Sequence, residues 1–137
     1  MRKRSNIKLL NNDYIIIDNR ILLLGRPDSS FTGEVKRKPF SEIMAQIDTQ
    51  LPIVVMDHSP AHIEEYGNAV DLILAGHTHR GQLFPGSLLT RRIFTIDYGH
   101  YQKDPSSPHV IVTQGVHTWM MPVRTGTNNE IVSIRLR

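Results

Sequence analysis

The chain has 137 residues, 39% of them hydrophobic and 21% charged, with a formal net charge of +3 and no cysteine. That balance describes one ordinary folded domain, residues 1–137, with enough apolar material for a core. It excludes intrinsic disorder, disulfide frameworks and cysteine-type zinc sites, and the charge is too small to argue for nucleic acid. The basic start Met1-Arg2-Lys3-Arg4 is followed by no apolar signal core, and no run approaches the roughly 20 apolar residues of a membrane helix, so the chain itself reads as soluble.

Residues 7–25 read as a hairpin. Tyr14-Ile15-Ile16-Ile17 and Ile21-Leu22-Leu23-Leu24 are apolar runs separated by the turn-favouring triplet Asp18-Asn19-Arg20. Both are apolar on successive residues, which asks for cover on both faces. Gly25 to Ser30 breaks the pattern as a loop, in which Arg26 and Asp28 are either site residues or a solvated turn. Residues 41–50 read as a helix with Ser41 as N-cap, Glu42 in the first turn and Ile43, Met44 and Ile47 on one apolar face.

A buried strand follows at Leu51–Met56, ending in Asp57-His58-Ser59-Pro60. A second helix begins at Pro60, with Ile63 inward, Glu64 and Glu65 outward, His62 exposed, and an end near Gly67-Asn68. A third buried strand, Val70–Ala75, runs into Gly76-His77-Thr78-His79-Arg80-Gly81-Gln82. Strand, helix, strand with a short crossover makes a parallel pair in a layered α/β domain. Such sheets place ligand sites outside the carboxyl ends of their strands. His58, His77 and His79 would converge there with Asp57 beside them, and neutral imidazole suits first-row metals.

After a turn at Phe84-Pro85-Gly86, residues 87–93 read as a short helix carrying Arg91 and Arg92. Ile93–Tyr98 and His109–Thr113 read as strands around a polar, Pro-rich loop. His100, His109 and His117 are scattered and read as structural or surface residues. Residues 130–137 alternate Val132, Ile134 and Leu136 with Ser133, Arg135 and Arg137, the pattern of a half-buried antiparallel strand.

Asp57-His58-Ser59-Pro60 together with Gly76-His77-Thr78-His79 resembles the last two metal motifs of calcineurin-like metallophosphoesterases, most closely the YkuE-like and YaeI-like membrane-associated branch. Further stretches fit in order: Gly25-Arg26 with Asp28 and Ser30, Gly81-Gln82 with Phe84-Pro85-Gly86, Asp97-Tyr98-Gly99, Gln114-Gly115 with Trp119, Pro122-Val123-Arg124 with Gly126, and Glu130-Ile131-Val132.

The resemblance implies a layered mixed β-sheet with flanking helices, half of a four-layer sandwich. It implies a metal-dependent phosphohydrolase acting on phosphoesters or lipid-linked pyrophosphates through two divalent ions, Mn, Fe or Zn. In that reading His58 and His77 ligate the second metal and His79 the first, Asp57 orients His58 or a water, and Arg80 and Gln82 reach the substrate. Two cations roughly 3.5–4 Å apart would clamp the phosphate and activate a bridging water.

The family's earlier motifs are Asp-x-His, Gly-Asp-x-x-Asp and Gly-Asn-His-Glu or Gly-Asn-His-Asp, and none occurs here. The chain is thus expected to be the carboxyl-terminal half of such an enzyme. It would have no catalytic residue of its own, a partial or empty metal site, and a parent at the membrane. The alternative is a non-catalytic α/β remnant or partner-binding domain with at most one weak metal. Because the half-sandwich leaves one sheet face bare, the chain is expected either to self-associate through that face, most simply as a two-fold dimer, or to be only marginally stable.

Overall fold

The apolar runs assemble into a six-stranded mixed sheet in the order β1-β2-β3-β4-β6-β5. The computed structural model of the chain describes residues 7–29 and 36–136; Ser30, Arg137 and the amino-terminal Met1–Arg4 of the sequence reading lie outside them. The strands are β1 (Asp13–Ile17), β2 (Ile21–Gly25), β3 (Ile53–Met56), β4 (Leu72–Ala75), β5 (Gly99–Tyr101) and β6 (His109–Val112). β2, β3, β4 and β6 run parallel, and β1 and β5 close the two edges antiparallel.

The expected hairpin is β1 and β2. Arg20 N–H donates to Ile17 O at 2.9 Å, with Asp18 and Asn19 both at positive φ, 51° and 52°. That pair of left-handed residues makes the mirror-image turn whose twist matches a hairpin.

Register sorts the side chains onto two faces. Tyr14, Leu24, Val55, Ile73, Val110 and Tyr101 form one cross-sheet row, with Leu22, Ile53, Ala75 and Val112 on the same face. This face holds the core, covered by Phe40, Ile43, Ile63, Tyr66, Val70 and Ile96. The opposite face carries Ile15, Leu23, Val54 and Leu72 in one row and Met56, Leu74, Ile111 and His100 in another, with Ile17 opposite Ile21. No described helix lies in its place; instead a groove of about 780 Å³ is lined by Ile17, Ile21, Val54, Leu72, Ile111 and the chain's Ile134 and Leu136.

The helices are shorter than the sequence implies. α1 spans Phe40–Met44, starts one residue before the expected N-cap Ser41 and has no side-chain cap. The second expected helix, Pro60–Tyr66, is two 3-10 turns joined by a kink at His62 (φ −121°, ψ 24°) and capped by Ser59, whose hydroxyl accepts from Ala61 N–H at 3.3 Å. Its buried residues are Pro60, Ile63 and Tyr66, a spacing of three that matches 3-10 winding and would spiral off the face of an α-helix. α2 is Gly86–Ile93.

Two expected strands are corrected. Ile93 closes α2 and residues 94–98 are irregular; the strand there is the later, shorter β5. Residues 130–136 form no strand: they lie against neither edge in a paired register, and a strand without a partner has unmet backbone groups that water satisfies better. The alternation is real, but only Glu130 is anchored.

Candidate functional site at the strand ends

The loops after β2, β3 and β4 meet at the carboxyl edge of the sheet. Asp57 N–H donates to Leu74 O and Gly76 N–H to His58 O, both at 3.0 Å, so the β3 and β4 exits are laced together. This brings His58 Nε2 to 3.0 Å from His77 Nδ1, with the rings edge-on and 4.9 Å between centroids. From the β2 exit, Asp28 Oδ2 stands 3.8 Å from His58 Nε2.

The second loop is unusual in its backbone. His77, His79, Arg80 and Gln82 all have positive φ, between 46° and 65°, although none is glycine. Each such residue is strained, and the loop persists because its surroundings fix it. Thr78 is one anchor: its buried hydroxyl donates to Asp97 O at 2.6 Å and accepts from Arg80 N–H. Gly81 is the other, because a Cβ there would run into the backbone of Gly86 and Ser87 at the start of α2.

Electrostatics separate the three histidines. His77 titrates below its ordinary range, first because it is partly buried and then because His58 is next to it, with Asp28 opposing. His79 is also lowered, first by burial and then by the guanidinium of Arg124, whose Nη2 lies 3.1 Å from His79 Nδ1. Arg124 is held in turn by the carbonyls of Gln114, Gly115 and His117.

The remaining expected site residues are engaged inside the chain. The Asp57 carboxylate is buried and accepts from Tyr66 Oη at 2.6 Å and from both terminal nitrogens of Arg37, at 3.2 and 2.8 Å. Burial, then the neighbouring Asp57, pushes the Tyr66 hydroxyl far above its usual range, so it stays a donor. Arg80 lies over the Tyr98 ring, 4.5 Å from its centroid. Gln82 accepts from Trp119 N–H and donates to Trp119 O and Met121 O, clamping the distant 119–121 loop. Arg26 is buried, donating to Asn12, Lys38 O and Glu65.

A dinuclear centre does not fit these residues. Among the described residues no group of three or more His, Asp or Glu side chains could hold a metal ion. The expected dinuclear metal site with three histidine ligands from this chain is therefore corrected. The physical reason is geometric: the Arg124 guanidinium faces His79 Nδ1, the Asp57 carboxylate that would have oriented His58 is held by Arg37 and Tyr66, and one imidazole pair, His58 and His77, is in contact.

Arg37, Tyr66 and Arg124 were not singled out for a role by the sequence, and no local spacing points to them. The same holds for His100 and His109, which the sequence left scattered. The register of β5 on β6 places their Nε2 and Nδ1 2.9 Å apart with stacked rings.

Comparison with known proteins agrees with the motifs. The chain is 28% identical over 98% of its length to an uncharacterized metallophosphoesterase of Aquifex aeolicus, covering 52% of that protein. It is 37% identical over 62% of its length to an uncharacterized metallophosphoesterase of Helicobacter pylori, covering 23% of that protein. It is also 32% identical over 65% of its length to a zebrafish (Danio rerio) transmembrane protein with metallophosphoesterase domain, covering 21% of it. The chain thus spans about half or less of the curated relatives it matches. No family model and no solved structure matches it. The chain is homologous to several uncharacterized metallophosphoesterases, and its helix-flanked mixed sheet is consistent with half of their sandwich. No helix among the described residues is long and apolar enough to cross a membrane.

Proposed function

We propose that this chain is a non-catalytic, partner-binding α/β domain of metallophosphoesterase descent, with at most one weakly held divalent ion on His58 and His77. The observation that supports it best is that the third expected ligand, His79, faces the Arg124 guanidinium at its Nδ1, while Asp57, expected to orient His58 or a water, is held by Arg37 and Tyr66. Two neutral imidazoles make an incomplete set for a first-row ion, which needs further donors from water or a partner.

The partner surface is the open sheet face, where Ile17 and Met56 remain 40% and 39% exposed. Val54 and Leu72 on the same face are buried, so what a partner would cover is the apolar margin at Ile17 and Met56. A second copy packed face to face is the simplest cover, and a segment of the kind that the longer relatives carry beyond the matched region is the other. The parent belongs to the membrane-associated branch; in support, the zebrafish and bovine relatives are named as transmembrane proteins.

The test is sedimentation velocity over a micromolar concentration series, alongside an assay with bis-nitrophenyl phosphate and Mn. Expected are a concentration-dependent dimer, weakened by Met56→Glu, and no turnover. Metal-dependent turnover that survives repurification and disappears in His77→Ala overturns the non-catalytic reading. A monomer at every concentration overturns self-association.

A further inference from the structure

A second uncovered apolar surface lies away from the sheet, on α2 and the loop that Gln82 clamps. α2 is inside out. None of its residues is buried, while Leu88, Leu89 and Ile93 are each more than 60% exposed. The residue it turns to the protein is polar: Thr90 donates to Asp97 Oδ2 at 2.8 Å. At 100° per residue Leu88, Leu89, Arg92 and Ile93 share an arc of about 140°. A helix built to pack on its own domain has the opposite arrangement.

A second strip adjoins it. Trp119, Met120 and Met121 are 67%, 80% and 54% exposed, yet their backbone is fixed by Gln82. Phe84, 74% exposed, stands two residues before α2 and is tied to the segment after that loop, its N–H donating to Thr125 Oγ1 at 2.9 Å. The loop is therefore held rigidly with its apolar side chains outward. Charge follows one sign: residues 76–96 and 115–129 contain no Asp or Glu, and they carry Arg80, Arg91, Arg92 and Arg124.

We propose that this patch docks the chain on an anionic lipid surface, with α2 lying in the headgroup plane. Leu88, Leu89, Ile93, Phe84 and Met120 would enter the acyl boundary, Trp119 would sit at the interface, and Arg91 and Arg92 would meet lipid phosphates. Exposed Leu, Phe and Trp beside Arg, with acidic residues excluded, is the composition that an interfacial helix needs and that a neutral apolar partner would not select. The proposal deepens the membrane reading of the parent but needs only this chain, and it is independent of what covers the sheet face.

Trp119 is the sole tryptophan, so its emission reports the patch directly. On titration with phosphatidylglycerol-containing vesicles we expect a blue shift and co-sedimentation, both weak or absent with pure phosphatidylcholine and both reduced by high salt. Leu88→Ser with Leu89→Ser and Ile93→Ser should weaken binding by at least about tenfold. So should Phe84→Ser with Met120→Ser, which leaves α2 intact, and Arg91→Gln with Arg92→Gln should remove the preference for anionic lipid. Ile17→Ser with Met56→Ser, on the sheet face, should leave binding unchanged. An unshifted emission with anionic vesicles, or binding that survives both apolar variants with their circular dichroism preserved, overturns the proposal. So does loss of binding only in the sheet-face variant. If the longer parent fractionates with membranes while this chain ignores vesicles, the anchor lies elsewhere and the patch alone is refuted.

Discussion

Adjacent residues on one strand have opposite fates in this protein. Leu24 is fully buried under the helices, and Leu23, its neighbour on β2, lies on the opposite face and is only partly buried. The two sheet faces are equally apolar in sequence, but only one is closed by the chain's own α1 and 3-10 segment. The covered face continues at its carboxyl end into a polar seal, where Asp57, Tyr66, Arg37, Glu65 and Arg26 are linked in one network that leaves only Arg26 Nε among their buried side-chain nitrogens and oxygens without a partner. The open face ends in His58, exposed and free to meet His77. Apolar sequence therefore marks where cover is needed, without saying whether the same chain supplies it.

The sharpest way to break this comparison is to truncate both leucines. Leu24→Ala should destabilise by about 3 kcal/mol, a transfer loss plus a cavity that a packed core cannot collapse. Leu23→Ala should cost less than about 1 kcal/mol in dilute solution, because Leu23 is only partly buried and the face it lies on has no helix packed over it. Urea melts at low and high protein concentration measure both. If Leu23→Ala becomes costly only at high concentration, the open face is being covered by a second copy. Equal costs at every concentration would mean that the groove is closed in solution and the two faces are alike.

Next in size is the polar seal. Asp57→Ala should cost about 2–4 kcal/mol, since it leaves the Tyr66 hydroxyl proton without its acceptor and takes from Arg37 the carboxylate that accepts from both its terminal nitrogens, in a largely buried place. Tyr66→Phe removes one donor and keeps the ion pair, so about 1–2 kcal/mol is expected. Thermal melts of the two variants decide whether Asp57 serves the fold. A stable Asp57→Ala protein with altered His58 behaviour would return Asp57 to the site.

Much of this architecture was legible in the sequence for stated reasons. The hairpin, β3, β4 and β6 are carried by β-branched runs with turn residues between them, and tertiary packing had only to choose their order. The parallel pairing followed from the short crossover. What failed depended on partners that local pattern does not contain. Residues 60–66 follow a spacing of three, which resembles helix until the buried positions are counted. Residues 130–136 alternate like a strand but find no edge. The convergence of His58 and His77 was readable because both follow strand ends, whereas Arg37 and Arg124 reach their targets across 20 and 45 residues of sequence. Those two arginines are what turn an expected ligand set into an internal network.

The smallest expected effect is the acid sensitivity of the histidine loop. His77 and His79 both titrate lower in the folded chain than the ordinary 6.5, chiefly through burial, then through His58 for the first and Arg124 for the second. In the unfolded chain neither influence remains, so the unfolded state takes up protons first as pH falls. Stability is therefore fully present above about 6.5 and declines as pH drops from there towards the lower folded values. The decline levels off once both states are protonated. Both residues are partly exposed, so solvent screening keeps the effect modest. Melting temperatures from neutral pH down to about 5, in chelator to keep the imidazoles metal-free, should show this slope. His79→Gln should flatten it, because it removes the group facing Arg124, and an Ile17→Ser control on the open face should leave the slope unchanged. A slope that is unaltered in His79→Gln and His77→Gln would mean that the strand-end loop relaxes on protonation and is not held as rigidly as its positive-φ backbone implies.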